Sequence, residues 1–97
     1  MRVPSVVNVM GIKYKVRYED VPVADGITVW GYTEFDQALI VLKRDMAKQK
    51  IAQTFIHELT HAMIHEMGDD EHSNDETIVN PLGNVIYQVM KENDIKL

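Results

Sequence analysis

The chain has 97 residues, of which 45% are hydrophobic and 26% are charged, a balance typical of one small globular domain over residues 1–97. It has no cysteine, which excludes disulfides, cysteine-based zinc fingers and iron–sulfur clusters. The formal net charge of -5 argues against direct nucleic-acid binding, and no apolar stretch is long enough for a signal peptide or a membrane span. We therefore expect a cytoplasmic protein with a small hydrophobic core. The cross-link that could still stabilise such a core is a metal ion held by histidine and carboxylate side chains.

Strand patterns occupy the first half of the chain. Apolar and basic residues alternate from Ile12 to Tyr18, which predicts a half-exposed strand that continues upstream of a turn or bulge at Gly11. Residues 19–26 indicate a loop, and the β-rich residues 27–33 precede a tight turn at 34–36. The continuous apolar run at 38–42 is typical of a strand buried on both faces.

Helical spacing begins at Met46. Apolar residues recur there every three or four positions, which predicts an amphipathic helix of about five turns that ends near Gly68. A second helix is predicted from the apolar face that comprises Ile78, Leu82, Val85, Ile86 and Val89. Pro81 either lies in the first turn of a helix that begins at Asn80 or kinks a longer helix that begins near Asn74. The expected fold class is α+β, with a small three- or four-stranded sheet backed by the first helix and a C-terminal helix.

The first predicted helix carries an H-E-x-x-H motif, from His57 to His61. Residues four apart lie on one face of a helix, so both imidazoles can reach one tetrahedral zinc ion. Glu58 lies about 100° round the helix from His57. A zinc ion lowers the pKa of a bound water to about 7, and a neighbouring carboxylate can then accept the proton as general base. The motif predicts His57 and His61 as zinc ligands and Glu58 as the catalytic base; the alternative is a surface helix with two solvated histidines.

A catalytic zinc requires a third protein ligand. His65 lies about 12 Å of helix rise from His57, too far to share an ion with both motif histidines. The candidates are the acidic and histidine residues that follow the helix: Asp69, Asp70, Glu71, His72, Asp75 and Glu76. We favour Glu76, at the entry of a second helix that could cross the first, and keep Asp75 and His72 as alternatives. Glu76 also completes a capping-box pattern with Ser73, in which it would cap only its own helix.

Several other residues could polarise a substrate carbonyl next to a zinc ion. They are His65, His72, Tyr14, Tyr18, Tyr32 and Tyr87. Solvated positions explain the two histidines better, and packing explains the tyrosines better. The acidic residues 69–71 have no calcium-binding spacing and indicate a solvated loop.

The region 13–93 resembles the short zincin-like metallopeptidases of bacteria and their phages, which are related to the ImmA/IrrE and SprT-like groups. Residues 54–62, TFIHELTHA, match the motif helix of that pattern, and Asp75 to Val79, followed by Tyr87, Val89 and Asn93, match its second half. The resemblance implies a minimal zincin-like fold and a gluzincin-type Zn²⁺ site with His57, His61 and Glu76 as ligands and Glu58 as general acid/base. Pro81 departs from the uninterrupted helix of the family, and the longer metzincin spacing is absent.

The expected function is therefore that of a zinc-dependent metallopeptidase, which hydrolyses peptide bonds with a metal-activated water. An extended peptide or protein substrate would add to the edge of the sheet. The alternative is a catalytically silent, zinc-stabilised binding or regulatory module of phage or prophage origin, or a structural component of a phage particle. We expect a protein partner or a homo-oligomer, no direct nucleic-acid or membrane partner, and a location in the cytoplasm of a bacterial host cell.

Overall fold

The first half of the chain forms six short strands in the computed structural model, which describes residues 1–97. Four strands form a mixed sheet in the order β1-β2-β6-β5, in which only the β2–β6 pair is parallel. The remaining two strands form a separate hairpin. The bounds are β1 Val6–Val9, β2 Ile12–Glu19, β3 Val23–Ala24, β4 Ile27–Thr28, β5 Gly31–Glu34 and β6 Leu39–Lys43.

Two tight turns organise these strands. Met10 and Gly11 join β1 to β2, and Asp25 and Gly26 join β3 to β4; all four residues have positive φ, between 53° and 88°. A two-residue hairpin turn with both φ values positive matches the right-handed twist of its strands. The predicted turn at Gly11 is confirmed. The loop predicted over 19–26 is confirmed for residues 20–22 and 25–26 but was wrong for Val23 and Ala24, because the Asp-Gly turn pairs these two residues with Ile27 and Thr28 in a hairpin.

The centre of the sheet is β6, between β2 and β5. Its residues Leu39 to Leu42 are all buried, which confirms the strand predicted from the apolar run. Tyr14 on β2 is fully buried and donates a hydrogen bond from its hydroxyl to Glu66 at 2.6 Å. This side chain thus links the sheet to the helix that covers it.

That helix, α1, spans Lys48–Glu66 and confirms the predicted amphipathic helix. Phe55, Ile56, Leu59 and Ala62 on α1 join the main apolar core with residues of the sheet. Gly68, two residues after the last residue of α1, terminates the helix with a φ of 94°. The backbone N–H groups of Gly68 and Asp69 donate to the carbonyls of His65 and Ile64, a Schellman end that favours glycine. The predicted stop at Gly68 is confirmed.

The second helix, α2, spans Glu76–Glu92 and contains Pro81. Of the two predicted alternatives, the longer helix forms, and it begins at Glu76. Asp75 is its N-cap, and the carboxylate accepts a hydrogen bond from the backbone N–H of Thr77 at 3.0 Å. This cap stabilises the first turn, ahead of the proline that interrupts the hydrogen bonding of the helix.

Most of the apolar face predicted on α2 does not face the core; of its five residues, only Ile86 packs against the core. Four of its side chains are exposed, by 36% to 58%: Ile78, Leu82, Val85 and Val89. The residues buried on α2 are Val79, Gly83 and Met90. A Cβ on Gly83 would lie 3.4 Å from Thr60 Oγ1 and 3.5 Å from His57 Cα, so this glycine lies close to α1. The fold is α+β as predicted, with α1 on the sheet and α2 packed mainly against α1.

Neither helix combines the length and the apolar character that crossing a bilayer requires.

Candidate metal centre

The two helices bring three of the predicted site residues together. His57 and His61 lie on successive turns of α1, and Glu76 is the first residue of α2. The Nε2 atoms of His57 and His61 lie 3.1 Å and 2.8 Å from the two carboxylate oxygens of Glu76. One donor atom from each of the three residues lies within 4.8 Å of the other two. The structure thus brings together the three residues that the sequence predicts as metal ligands, in an arrangement that could hold a metal ion.

The N-terminal turn of α2 leaves Glu76 available to this cluster. Asp75, and not Ser73, occupies the N-cap, and it accepts hydrogen bonds from both the N–H and the hydroxyl of Thr77. The Ser73 hydroxyl instead donates to the carbonyl of Asp70 at 3.3 Å. The predicted capping box is therefore absent, and the Glu76 side chain crosses to α1.

His61 has a defined tautomer. Its Nδ1 lies 2.5 Å from the carbonyl oxygen of Ser73, and a carbonyl can only accept, so Nδ1 carries the proton. In the neutral ring the lone pair is then on Nε2, which faces the Glu76 carboxylate at 2.8 Å. Two acceptor atoms at this distance need a proton or a cation between them. A second hydrogen bond that orients a ligating histidine in this way is typical of zinc sites.

The lowered pKa of His57 also suits a neutral imidazole that could ligate a metal. Burial lowers its pKa, the neighbouring His61 lowers it further, and the Glu76 carboxylate acts in the opposite direction. The two rings lie edge to face with centroids 4.9 Å apart. A histidine that is neutral near pH 7 offers a nitrogen lone pair, so two imidazoles and one carboxylate are available as the donor set of a tetrahedral Zn²⁺ site with one open position.

Glu58 lies beside the cluster and is 6% exposed. Burial raises its pKa from 4.5 to about 7, although His61 and a hydrogen bond from Thr33 act to lower it. Thr33 on β5 donates from its hydroxyl to Oε1 of Glu58 at 2.9 Å. A carboxylate with a pKa near 7 is suited to accept and return a proton at neutral pH. Thr33 was not predicted, because no local spacing relates residues 33 and 58; only the sheet topology brings them together.

A groove of about 470 Å³ opens next to His57 and Glu58. It lies between α1, α2 and the segment that joins β4 to β5, where Trp30 is 57% exposed. The β-rich residues 27–33 therefore do not form one strand, because Val29 and Trp30 fall between β4 and β5. A larger cavity of about 710 Å³, between the two chain termini, contains none of the predicted site residues.

The other candidate ligands have different partners. Asp75 caps α2, and His72 donates from Nδ1 to Asp69 at 2.8 Å, a contact that raises the pKa of His72. His65 stacks on Phe35 with ring centroids 4.2 Å apart, and its Nδ1 contacts Asp70. Asp69, Glu71 and His72 also lie close enough to share a cation, and the Asp69–His72 hydrogen bond accounts for the proximity of two of them.

The tyrosines that could polarise a substrate carbonyl make contacts elsewhere in the fold. Tyr14 is buried, and Tyr18 and Tyr87 pack against the apolar core. The hydroxyl of Tyr32 lies 3.4 Å from the nearer carboxylate oxygen of Glu19. Packing therefore explains Tyr14, Tyr18 and Tyr87, as expected from the sequence.

Comparison of the chain with models of known protein families, with curated proteins and with solved structures gave no match.

Proposed function

We propose that the protein is a zinc-dependent peptidase whose metal ligands are His57, His61 and Glu76. One observation carries the proposal: Nε2 of His61, oriented by the Ser73 carbonyl, faces a carboxylate from the other helix across a distance that requires a proton or cation. A buried second carboxylate, Glu58, lies next to the same cluster. The pattern of residues 54–62, which resembles that of the zincin-like metallopeptidases of bacteria and phages, supports the same assignment.

Each residue has a distinct task in this proposal. A bound zinc ion would supply a Lewis acid that polarises the peptide carbonyl and acidifies water. Glu58 accepts a proton from the attacking water, while the Thr33 hydroxyl donates to its Oε1 and holds the carboxylate in place. The same carboxyl then donates that proton to the leaving amine, as the microscopic reverse of a general base allows. The raised pKa of Glu58 suits both transfers.

The edge of the sheet offers a place for the substrate backbone. β5 is the last strand of the order β1-β2-β6-β5, so it pairs with β6 on one side alone. An extended peptide that pairs with Gly31–Glu34 as a further strand would run past Thr33 and therefore past Glu58. This arrangement would hold the scissile bond beside the catalytic carboxylate without a deep enclosing cleft.

A second candidate is a zinc-stabilised binding or regulatory module without turnover. It is favoured by the position of Glu76, whose contacts with His57 and His61 tie the start of α2 to α1. In a chain of 97 residues with a small core, a metal at this junction supplies folding free energy. A buried general base would have no task in such a module.

The Glu58→Gln substitution separates the two functions. It keeps the size of the side chain and one oxygen that can accept the Thr33 hydrogen bond, but it removes the group that takes up a proton. If the protein is a peptidase, the variant binds zinc as the wild type does, and its hydrolysis of a quenched fluorescent peptide library falls at least about 100-fold. Glu92→Gln, at the exposed end of α2, makes the same change away from the site and serves as control. Equal turnover by wild-type and Glu58→Gln proteins would exclude the proposed mechanism.

A further inference from the structure

We propose that the groove beside the metal centre selects peptides with an uncharged hydrogen-bonding side chain, Asn or Gln, next to an apolar residue that packs on Trp30. This inference rests on the proposed function and names the class of substrate. It comes from the side chains that line the groove between α1 and α2.

Three carboxamides line the groove. Asn80 and Asn84 are one turn apart on α2, and Gln53 lies one turn before His57 on α1. None of the three makes a side-chain hydrogen bond within the protein. A carboxamide presents both a donor and an acceptor, so its full complement is a group that also has both. Asparagine and glutamine side chains, and the peptide unit itself, meet that requirement.

The scarcity of charged residues in the groove also favours an uncharged polar side chain in the substrate. The residues that line the groove include no lysine or arginine, and the one carboxylate among them is Glu58, which the proposed mechanism employs. A charged substrate side chain that lies against the carboxamides would give up water without gaining a counter-ion from the residues that line the groove, which costs free energy. A purely apolar side chain that packs against the carboxamides would displace their water without replacing its hydrogen bonds. Neutral polar side chains avoid both costs.

Trp30 provides the apolar end of the groove. Its side chain is 57% exposed, and Nζ of Lys50 lies 5.5 Å from the ring centroid. An exposed indole gains stabilisation when an apolar side chain packs on its free surface. Trp30 is also the only tryptophan in the chain, so its fluorescence reports specifically on this end of the groove.

The test measures binding independently of hydrolysis. Zinc-loaded Glu58→Gln protein is titrated with blocked alanine-based peptides that contain one leucine beside a variable position, occupied by Gln, Glu, Lys or Leu. We expect the Gln peptide to change Trp30 fluorescence and to bind about tenfold more tightly than the other three. The preference should disappear in a protein that also carries Asn80→Ala and Asn84→Ala. It should persist with Gln88→Ala, an exposed carboxamide on α2 outside the groove.

The outcomes distinguish this inference from the proposed function. Equal affinity for all four peptides, no fluorescence response to any of them, or a preference that survives loss of Asn80 and Asn84 would overturn the substrate assignment. Preferential binding without hydrolysis by the wild-type protein would support the groove assignment and remove the peptidase function. Hydrolysis of all four peptides with equal kcat/KM would support the peptidase function and overturn the substrate assignment.

Discussion

The hydroxyl of Thr33 on the edge strand donates to Oε1 of Glu58 on α1 at 2.9 Å, which joins the sheet to the candidate catalytic base. Glu58 is buried, so this hydrogen bond helps to compensate its carboxylate for the loss of water.

We expect Thr33→Val to lower kcat about tenfold while zinc content stays the same, because valine keeps the shape but removes the donor. The hydrogen bond from Thr33 lowers the pKa of Glu58, so its loss should move the acidic limb of the kcat/KM profile to higher pH. Thr33→Ser should restore both properties. A Thr33→Val protein with the kcat and the pH profile of the wild type would show that this contact does not position the base.

The pKa of Glu58 predicts how the stability of the metal-free protein depends on pH. Burial raises the pKa from 4.5 to about 7, so between these values the folded state binds more protons than the unfolded state. The free energy of unfolding should therefore fall as pH rises from about 4.5 to about 7, by at most about 3 kcal/mol.

Glu58→Gln removes this contribution, and urea unfolding at several pH values measures it. The variant should be more stable than the metal-free wild type at pH 8, and the difference should vanish below pH 4. Comparison of the two proteins cancels the contributions of groups that they share. Parallel stability curves over the whole pH range would contradict the buried, raised-pKa state of Glu58.

Two glycines should respond oppositely to substitution by alanine. A Cβ on Gly31 would lie 2.8 Å from the backbone oxygen of Val41 and 2.9 Å from Cγ2 of Thr54, so Gly31→Ala should destabilise the protein by about 1–3 kcal/mol. At Gly83 the nearest atom is Thr60 Oγ1 at 3.4 Å, an ordinary contact, and alanine favours the helix by up to about 1 kcal/mol. Thermal unfolding of the metal-free variants measures both. A Gly31→Ala protein as stable as Gly83→Ala would show that β5 and α1 are less closely packed.

The N-cap of α2 should influence metal affinity, although Asp75 is not a ligand in our account. Asp75→Ala removes the acceptor for the Thr77 N–H and should cost about 1 kcal/mol of stability. Because Glu76 follows the cap directly, a frayed first turn should also weaken zinc binding in a competition titration with a chromogenic chelator. Asp75→Asn retains a capping oxygen and should retain most of the affinity. If Asp75→Ala lost as much affinity as Glu76→Ala, then Asp75 would be a candidate ligand after all.

Local patterns predicted the parts of the fold that depend on neighbouring residues. The helical spacing and Gly68 identified α1, and the apolar run identified β6, because each element has a characteristic period or terminator. The spacing of His57 and His61 placed two imidazoles on one helix face for the same reason. Their convergence with Glu76 was predictable once the chain was expected to turn back after Gly68.

Contacts between distant segments were not predictable in this way. Thr33 and Ser73 bond to Glu58 and His61 through the sheet topology and the loop after α1. The orientation of α2 was also predicted wrongly, because the apolar residues around Leu82 indicated a buried face that is mostly exposed in the structure. Glu76 and Gly83 explain the observed rotation, since one contacts the motif histidines and the other lies close against α1.

The most direct test of the metal centre is native mass spectrometry of the purified, untagged protein, with and without a chelator, together with its melting temperature. We predict one zinc ion per chain, loss of that ion in His61→Ala and Glu76→Ala, and a lower melting temperature after chelation, because a metal bound by the folded state alone stabilises it. A chain that binds no metal, and whose melting temperature does not change when zinc is added, would contradict the account.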